Sequence, residues 1–411
     1  MRQLILFLIF FLFQWYAFQA IKTLTKQNWV TILYWAIGLL AFANVILQFA
    51  FGEKSGNLNP ARNYAIGIIF TLIAFYLTII IVLFGEDIVR FIVGIFQKLF
   101  SKEQSTSFLP SRRKWLSTVA LGLAAIPFSA LIYGMFKGKH DYRVLKYTLH
   151  FPDLPESFDG FQITQISDLH SGSFDNREKL EYAVELINEQ KSDVILFTGD
   201  LVNNKAEEIY PWTDVFSKLS ADKGIYSILG NHDYGDYVQW NTQEEKAKNL
   251  DDLKQVQADM GFKLLLNEHV FIEKDAERIA LIGVENWGAG GFKKAGDLNQ
   301  ATLRLDNKEF KVLMSHDPSH WDKEVIDDKL HYHLTLSGHT HGMQFGIEIP
   351  GWIKWSPVSL RYPRWAGLYK EKDQVLNVNR GFGVLAYPGR VGMPPEITVI
   401  ELKRGSLTQI A

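Results

Sequence analysis

The hydrophobic pattern divides this chain near residue 137, with long unbroken apolar runs before it and short alternating ones after it. Positions 3–21, 29–52, 64–84 and 115–136 contain no Asp, Glu, Lys or Arg. Each matches the roughly 20 residues that a helix needs to cross the hydrocarbon core of a bilayer, so four transmembrane helices are predicted. Hiding four such runs inside a soluble domain would require an improbably large apolar core. Between the third and fourth, Ile88, Phe91, Ile92, Ile95, Phe96 and Leu99 share one face while Arg90, Gln97 and Lys98 lie elsewhere. That pattern predicts an interfacial helix along the headgroups.

Beyond residue 137 the period shortens. Strands are predicted at 161–167, 193–198, 224–229, 279–284, 310–315 and 332–337, with another near 396–402. Leu180, Ala183, Val184 and Ile187 recur at helical spacing, and further helical stretches are predicted around 244–260 and 321–328. The alternation predicts a layered α/β domain over 138–411 behind a membrane anchor over 1–137.

Five of these strands are followed directly by potential metal ligands: Asp168 and His170, then Asp200, then Asn231 with His232, then His316, then His339 and His341. Ligands of open α/β sheets bind beyond the carboxyl ends of strands, so the five loops can meet in one crevice. Gly199, Gly230 and Gly338 precede three of the donors and permit tight turns there. Singly, an Asp-x-His or a Gly-Asp after a strand is most often structural. Together, Asp168, His170, Asp200, Asn231, His316, His339 and His341 form a mixed nitrogen and oxygen set suited to Mn, Fe or Zn. Seven donors exceed one tetrahedral site, which points to two divalent metal ions activating water against a phosphate ester. His232 is a candidate proton donor to the leaving alkoxide, with Asp233 as the group that holds its imidazole. Arg380 and Arg390, in late glycine-containing loops, are weaker candidates for clamping a substrate phosphate.

Charge and composition narrow this further. A net charge of −2 with no long basic run outside the membrane-flanking segments excludes nucleic acid as a default partner. The absence of cysteine excludes disulfides, thiolate zinc sites and a cysteine nucleophile. Lys22 and Lys26 in the first loop, with Arg90, Lys98, Lys102, Arg112, Arg113 and Lys114 in the third, place those loops in the cytoplasm and the C-terminal domain outside. Lys137, Lys139, Arg143 and Lys146 weaken that asymmetry. The stretch 111–116 reads equally as a twin-arginine export signal or as a basic anchor of the fourth span, and a cleaved first span would reverse the loop parity. Trp352, Trp355, Tyr362, Trp365 and Tyr369 cluster after the last motif, where such residues pack internally or meet a membrane interface or an apolar substrate. Around Trp287, Lys293 and Lys294 accompany several glycines in a basic segment that suits a cover over the site or a plain loop.

Asp168-Leu169-His170, Gly199-Asp200, Gly230-Asn231-His232-Asp233, Ser315-His316 and Gly338-His339-Thr340-His341 resemble the calcineurin-like metallophosphoesterase signature over about residues 147–403. Gly367-Leu368-Tyr369 and Pro394-Pro395-Glu396-Ile397 are similar to a membrane-associated bacterial branch of it. The resemblance implies a four-layer sandwich of two β-sheets flanked by helices. It also implies one metal on Asp168, His170, Asp200 and His341 and another on Asp200, Asn231, His316 and His339, with His232 as acid or transition-state stabiliser. Met343 departs from the branch, which usually has a second glycine there. The expected activity is hydrolysis of a phosphomonoester or phosphodiester, lipid-linked or from the envelope, at the outer face of a bacterial cytoplasmic membrane. Two rivals stand beside it: a cytoplasmic-side hydrolase of a nucleotide-linked acylated sugar, and a membrane sensor that binds a phosphorylated ligand.

Overall fold

The computed structural model describes residues 2–50, 60–100, 110–349 and 351–408. Positions 51 and 52 of the predicted second span, Lys102 of the third loop and the last three residues of the predicted domain lie outside them. Two compact units result, one comprising the apolar helices up to Met135 and one running from Phe136 to the C-terminus.

In the first unit the apolar runs form α1 (Arg2–Leu24), α2 (Asn28–Ala50), α3 (Pro60–Phe100) and α4 (Pro110–Phe136), all long and apolar enough to cross a membrane. Gln14 Nε2 donates to the carbonyl of Tyr34 at 3.2 Å, and the Tyr34 hydroxyl donates back to the carbonyl of Gln14 at 2.6 Å. Such pairing satisfies polar groups where no water reaches them. The expected separate interfacial helix is not formed. Its residues extend α3, a 41-residue helix, because no proline interrupts the run and neither Gly85 nor Gly94 ends it. Arg113 bridges Glu86 at 2.9 Å and Asp87 at 2.8 Å, and Arg112 lies 3.7 Å from Glu86, so both members of the arginine pair join α4 to α3.

The second unit is built in the order β1 (Arg143–Phe151), β2 (Gln162–Ile166), α5 (Arg177–Asn188), β3 (Val194–Phe197), α6 (Thr213–Phe216), β4 (Ile225–Ser227), α7 (Gln243–Asp259) and β5 (Phe262–Leu264). It continues with β6 (Glu268–Lys274), β7 (Glu277–Gly283), α8 (Leu298–Ala301), β8 (Lys311–Met314), α9 (Ser319–Lys323) and β9 (Leu334–Ser337). The hairpin β10 (Ile347–Ile349) and β11 (Ile353–Trp355) follows, then β12 (Gly367–Glu371), β13 (Gln374–Val378) and β14 (Glu396–Arg404). Two six-stranded sheets form, ordered β1-β14-β2-β3-β4-β5 and β12-β13-β9-β8-β7-β6.

Alternation along the central strands assigns the layers. Val194 and Leu196 join Ile163, Leu281, Val312, Leu334 and Leu336 in the core between the sheets. Ile195 and Phe197 point the other way and pack with Leu180, Val184, Phe216 and Leu253 of the helices. On the far face of the second sheet, Ile282, Leu313 and Leu376 meet Trp321 and Val325. The order helix, sheet, sheet, helix is the four-layer sandwich. β2, β3 and β4 run parallel, as do β7, β8 and β9.

Candidate metal centre

Parallel strands leave their carboxyl ends on one edge, and every predicted donor emerges there. Asp168 and His170 follow β2, Asp200 follows β3, Asn231 follows β4, His316 follows β8, and His339 and His341 follow β9. Links between the sheets hold that edge together. Nδ1 of His316 lies 2.7 Å from the carbonyl of Thr198, and the backbone N–H of His339 donates to the Asp168 carboxylate at 3.0 Å.

The backbone there is held in an uncommon conformation. Asp168, His170, Asp200, His339 and His341 all have positive φ, between 49° and 71°, in the left-handed region that non-glycine residues occupy at a cost. Met343 also lies there, at φ 53°, which is a physical reason for the branch to favour glycine at that position. Gly230 has a different duty. A Cβ on it would sit 2.2 Å from Oδ1 of Asp200 and 2.6 Å from the Asp200 backbone nitrogen. Gly230→Ala should therefore displace Asp200 and lower kcat/KM about a hundredfold, since misplacement by about 1 Å can cost that much. Steady-state kinetics on the folded variant checks it.

The donors gather in two groups, Asp168 with His170 and His341, and Asp200 with His316 and His339, with ligand atoms in each group lying within 4.8 Å of one another. Nε2 of His170 and Nε2 of His341 face each other at 2.9 Å, and Nε2 of His341 lies 3.2 Å from Asp168. Oδ2 of Asp200 lies 3.1 Å from Nε2 of His316 and 3.6 Å from Nε2 of His170, so this carboxylate touches both groups. Asn231 donates from Nδ2 to the Tyr237 hydroxyl at 2.8 Å. Three buried atoms, Oδ1 of Asn231, Nε2 of His316 and Nδ1 of His170, have no hydrogen-bond partner. The 3.1 Å contact of His316 with Asp200 is a charge contact without hydrogen-bond geometry. Unpaired buried acceptors and facing imidazole nitrogens cost free energy on their own, and a divalent cation satisfies them, so the donor set fits metal.

Electrostatics point the same way. Burial would raise the Asp200 carboxyl, but His316 and His232 outweigh it and hold it well below the usual range. Burial would lower His316, but Asp200 lifts it to about 10. Burial depresses His170, reinforced by His341, and depresses His339 to about 4. Neutral imidazoles at His170 and His339 beside an ionised Asp200 are the protonation states that metal binding selects, whereas His316, held charged by Asp200, would release its Nε2 proton to a cation on binding.

Around the donors, several roles differ from expectation. Asp233 does not hold His232. Its carboxylate accepts from the backbone N–H groups of Gly230, Asp200, Leu201 and Val202, at 2.8 to 3.3 Å. Four convergent N–H donors hold the carboxylate more strongly than one neighbouring imidazole. The His232 ring is instead held by Nδ1, 2.7 Å from the carbonyl of Asn203, and by Tyr237 against its face at 4.4 Å between centroids. Arg380 and Arg390 are committed inside the protein. Arg380 pairs with Glu396 and with Glu348, while Arg390, 1% exposed, donates to the carbonyls of Gly383, Arg380 and Met393. Nε of Arg380 is buried without a partner among the described residues and Nη2 of Arg390 lies 3.3 Å from Nδ1 of His341, so both guanidinium groups are held within the protein and neither is exposed as the predicted phosphate clamp.

Residues that motif reading passed over complete the surroundings: Asn203, Tyr237 and Asp317. Tyr362, read from sequence only as part of the aromatic cluster, places its hydroxyl 2.8 Å from Nε2 of His339. Asp317 is buried, with Oδ2 3.9 Å from the same nitrogen. No spacing rule marks these four.

Residues 161–343 match the family described as "Calcineurin-like phosphoesterase", and residues 1–139 match "Probable Calcineurin-like phosphoesterase, transmembrane domain". The uncharacterized metallophosphoesterase YkuE of Bacillus subtilis is 30% identical over 71% of this chain and 98% of its own length. A transmembrane protein with metallophosphoesterase domain from Danio rerio is 27% identical over 75% of this chain and 67% of its own. Among solved structures, the phosphopantetheinyl hydrolase of Mycobacterium tuberculosis overlaps at a TM-score of 0.33 and 12% identity, covering 54% of this chain and 89% of that one, too distant a likeness to carry an inference. The chain therefore belongs to the calcineurin-like metallophosphoesterases and carries their transmembrane domain of four apolar helices at its N-terminus.

Proposed function

We propose that the catalytic unit hydrolyses a phosphomonoester or phosphodiester with two divalent cations, Mn, Fe or Zn. Asp168, His170, Asp200 and His341 hold one, Asp200, Asn231, His316 and His339 hold the other, and Asp200 is shared. The observation that carries this reading is the contact of Oδ2 of Asp200 with both donor groups, at 3.1 Å from His316 and 3.6 Å from His170. When bound, such a pair lowers the pKa of water and neutralises charge on the phosphoryl oxygens during in-line displacement.

The chain's own residues supply the remainder. The Thr198 carbonyl fixes the His316 tautomer by accepting from Nδ1–H, which leaves the Nε2 lone pair for a cation. Tyr362 engages Nε2 of His339 and leaves Nδ1 of that ring for the same purpose. The Asn203 carbonyl accepts from Nδ1–H of His232 and orients the ring, so that in its imidazolium form Nε2–H is the proton that passes to the leaving alkoxide.

The substrate in this reading is a lipid-linked or envelope phosphate at the outer face of a bacterial cytoplasmic membrane. The four apolar helices and the basic first and third loops support it. A C-terminal reporter active only outside the cell separates it from the cytoplasmic-side alternative. The purified full-length protein, stripped with chelator and reloaded with Mn, Fe or Zn, should regain phosphoesterase activity and turn over long-chain esters faster than short soluble ones. Comparable turnover of both would remove the lipid part, and no metal-dependent turnover of any phosphoester would remove the whole.

A further inference from the structure

The β10–β11 hairpin is amphipathic, and all six of its strand residues, the apolar ones included, are exposed. Its register pairs Ile347 with Trp355, Glu348 with Lys354, and Ile349 with Ile353. Strand alternation puts the four apolar residues on one face and the two charged ones on the other. A surface hairpin ordinarily turns its charged face to water. Here Glu348 is tied to Arg380 at 2.6 Å, and Nζ of Lys354 donates to the carbonyl of Ala366 at 2.6 Å. The apolar face is left outward, with Ile347, Ile349, Ile353 and Trp355 all exposed. At the turn Trp352 is 82% exposed, and Leu360, just beyond the hairpin, is 89% exposed. A two-stranded hairpin is marginal by itself, so holding this one with its apolar side in water has a cost that a partner must offset.

The hairpin adjoins the metal donors. Ser356, directly after β11, donates from Oγ to the carbonyl of Gly342 at 2.8 Å, one residue past His341. Tyr362, two residues past Leu360, reaches His339. Between those two lies Arg361, whose exposed guanidinium sits over Phe292 at 5.1 Å and Tyr362 at 5.4 Å. Among the described residues no carboxylate forms an ion pair with it.

We infer that this hairpin and the Leu360–Arg361 turn form a wedge that enters the surface of a lipid bilayer beside the metal site. Three observations select lipid over a second protein. Exposed Trp and Ile at a tip suit the boundary of hydrocarbon and headgroup, where an aromatic ring keeps its polar edge in water. An unpaired arginine next to that tip complements headgroup phosphates. Only a short segment separates α4, ending at Phe136, from β1, starting at Arg143, so the apolar helices keep a bilayer at high effective concentration around this unit. The inference rests on the reading of a lipid-linked substrate and deepens it, because a site opening at the headgroup plane takes its phosphoester from the membrane.

The chain has no cysteine, which permits single labelling sites. In full-length protein, Trp352→Cys and Leu360→Cys each carry an environment-sensitive fluorophore, with Tyr182→Cys, 52% exposed on α5, as the control. Each is reconstituted at one copy per phosphatidylcholine nanodisc, with or without phosphatidylglycerol and with or without doxyl-labelled lipid. The wedge predicts blue-shifted emission at 352 and 360 and quenching by doxyl lipid at least about twofold stronger than at 182, deepened by the anionic lipid. Quenching equal to the control at both sites overturns it. So does a blue shift that ignores doxyl lipid and grows as copies are crowded together, which would mark a contact between copies of the chain. The readout needs no turnover, so failure of the wedge and failure of the hydrolase reading are separately visible.

Discussion

Asp200→Asn should lose bound metal and phosphoesterase activity together, with kcat/KM falling by at least about a thousandfold, or about 4 kcal/mol of transition-state stabilisation. The substitution is nearly isosteric, so the fold has no steric reason to change. The electrostatics change at the most demanding point. Oδ1 of Asp200 already accepts from the His232 backbone at 2.8 Å, and Oδ2 is the atom that contacts His316 and His170. An amide either turns its NH2 toward the backbone donor or toward the cations, and both choices remove a negative ligand from a site that must hold two positive ions. Metal content by elemental mass spectrometry, measured beside kinetics, separates this from a plain catalytic defect. Full activity in the variant would contradict the shared-ligand arrangement.

His232→Ala should behave in the opposite way, retaining its metal while kcat falls by about 10²–10⁴, the range for loss of a positioned acid. His232 contributes its backbone N–H, not its ring, to Asp200, and alanine keeps that bond. What disappears is the imidazole braced by Asn203 and Tyr237. An aryl ester whose leaving group departs without a proton should be much less affected than an alkyl ester. Equal losses on both substrates would assign the ring to transition-state charge stabilisation and not to proton transfer.

Much of this site is written at strand ends. β2, β3, β4, β8 and β9 are short runs, buried except at Gln162 and rich in β-branched or large apolar residues, and parallel pairing forces the residues after them onto one edge. A donor following such a run is therefore placed by topology, and linear order is enough to see it. Elements at the sheet edges are less legible. β1 lies at the edge of the first sheet, where Arg143, Lys146 and His150 interrupt the apolar alternation, and β12 at an edge of the second sheet carries Lys370 and Glu371. Solvated edges tolerate charge, so their period fades.

Asp233, Arg380 and Arg390 differ from expectation for another reason: sequence shows only the neighbours of a side chain along the chain, whereas their partners are brought by the fold. The Asp233 carboxylate was drawn to backbone N–H groups as far away in sequence as Asp200, and Arg380 was taken up by Glu348 and Glu396. Tyr362 lies 23 positions beyond His339, with no motif between them to announce the contact. The hairpin shows a different limit. The two faces of Ile347–Trp355 are defined only by the register, and nothing in the pattern says that Glu348 and Lys354 find partners in Arg380 and Ala366 while the apolar residues find none among the described residues.

The most direct test of the central claim is the electron paramagnetic resonance spectrum of the full-length protein loaded with Mn(II). Two ions sharing the Asp200 carboxylate should give the multiline signal of an exchange-coupled pair, at two equivalents per chain, and Asp200→Asn should abolish it. A spectrum of isolated Mn(II) at one equivalent in the unaltered chain, or coupling that persists in the variant, would contradict the account.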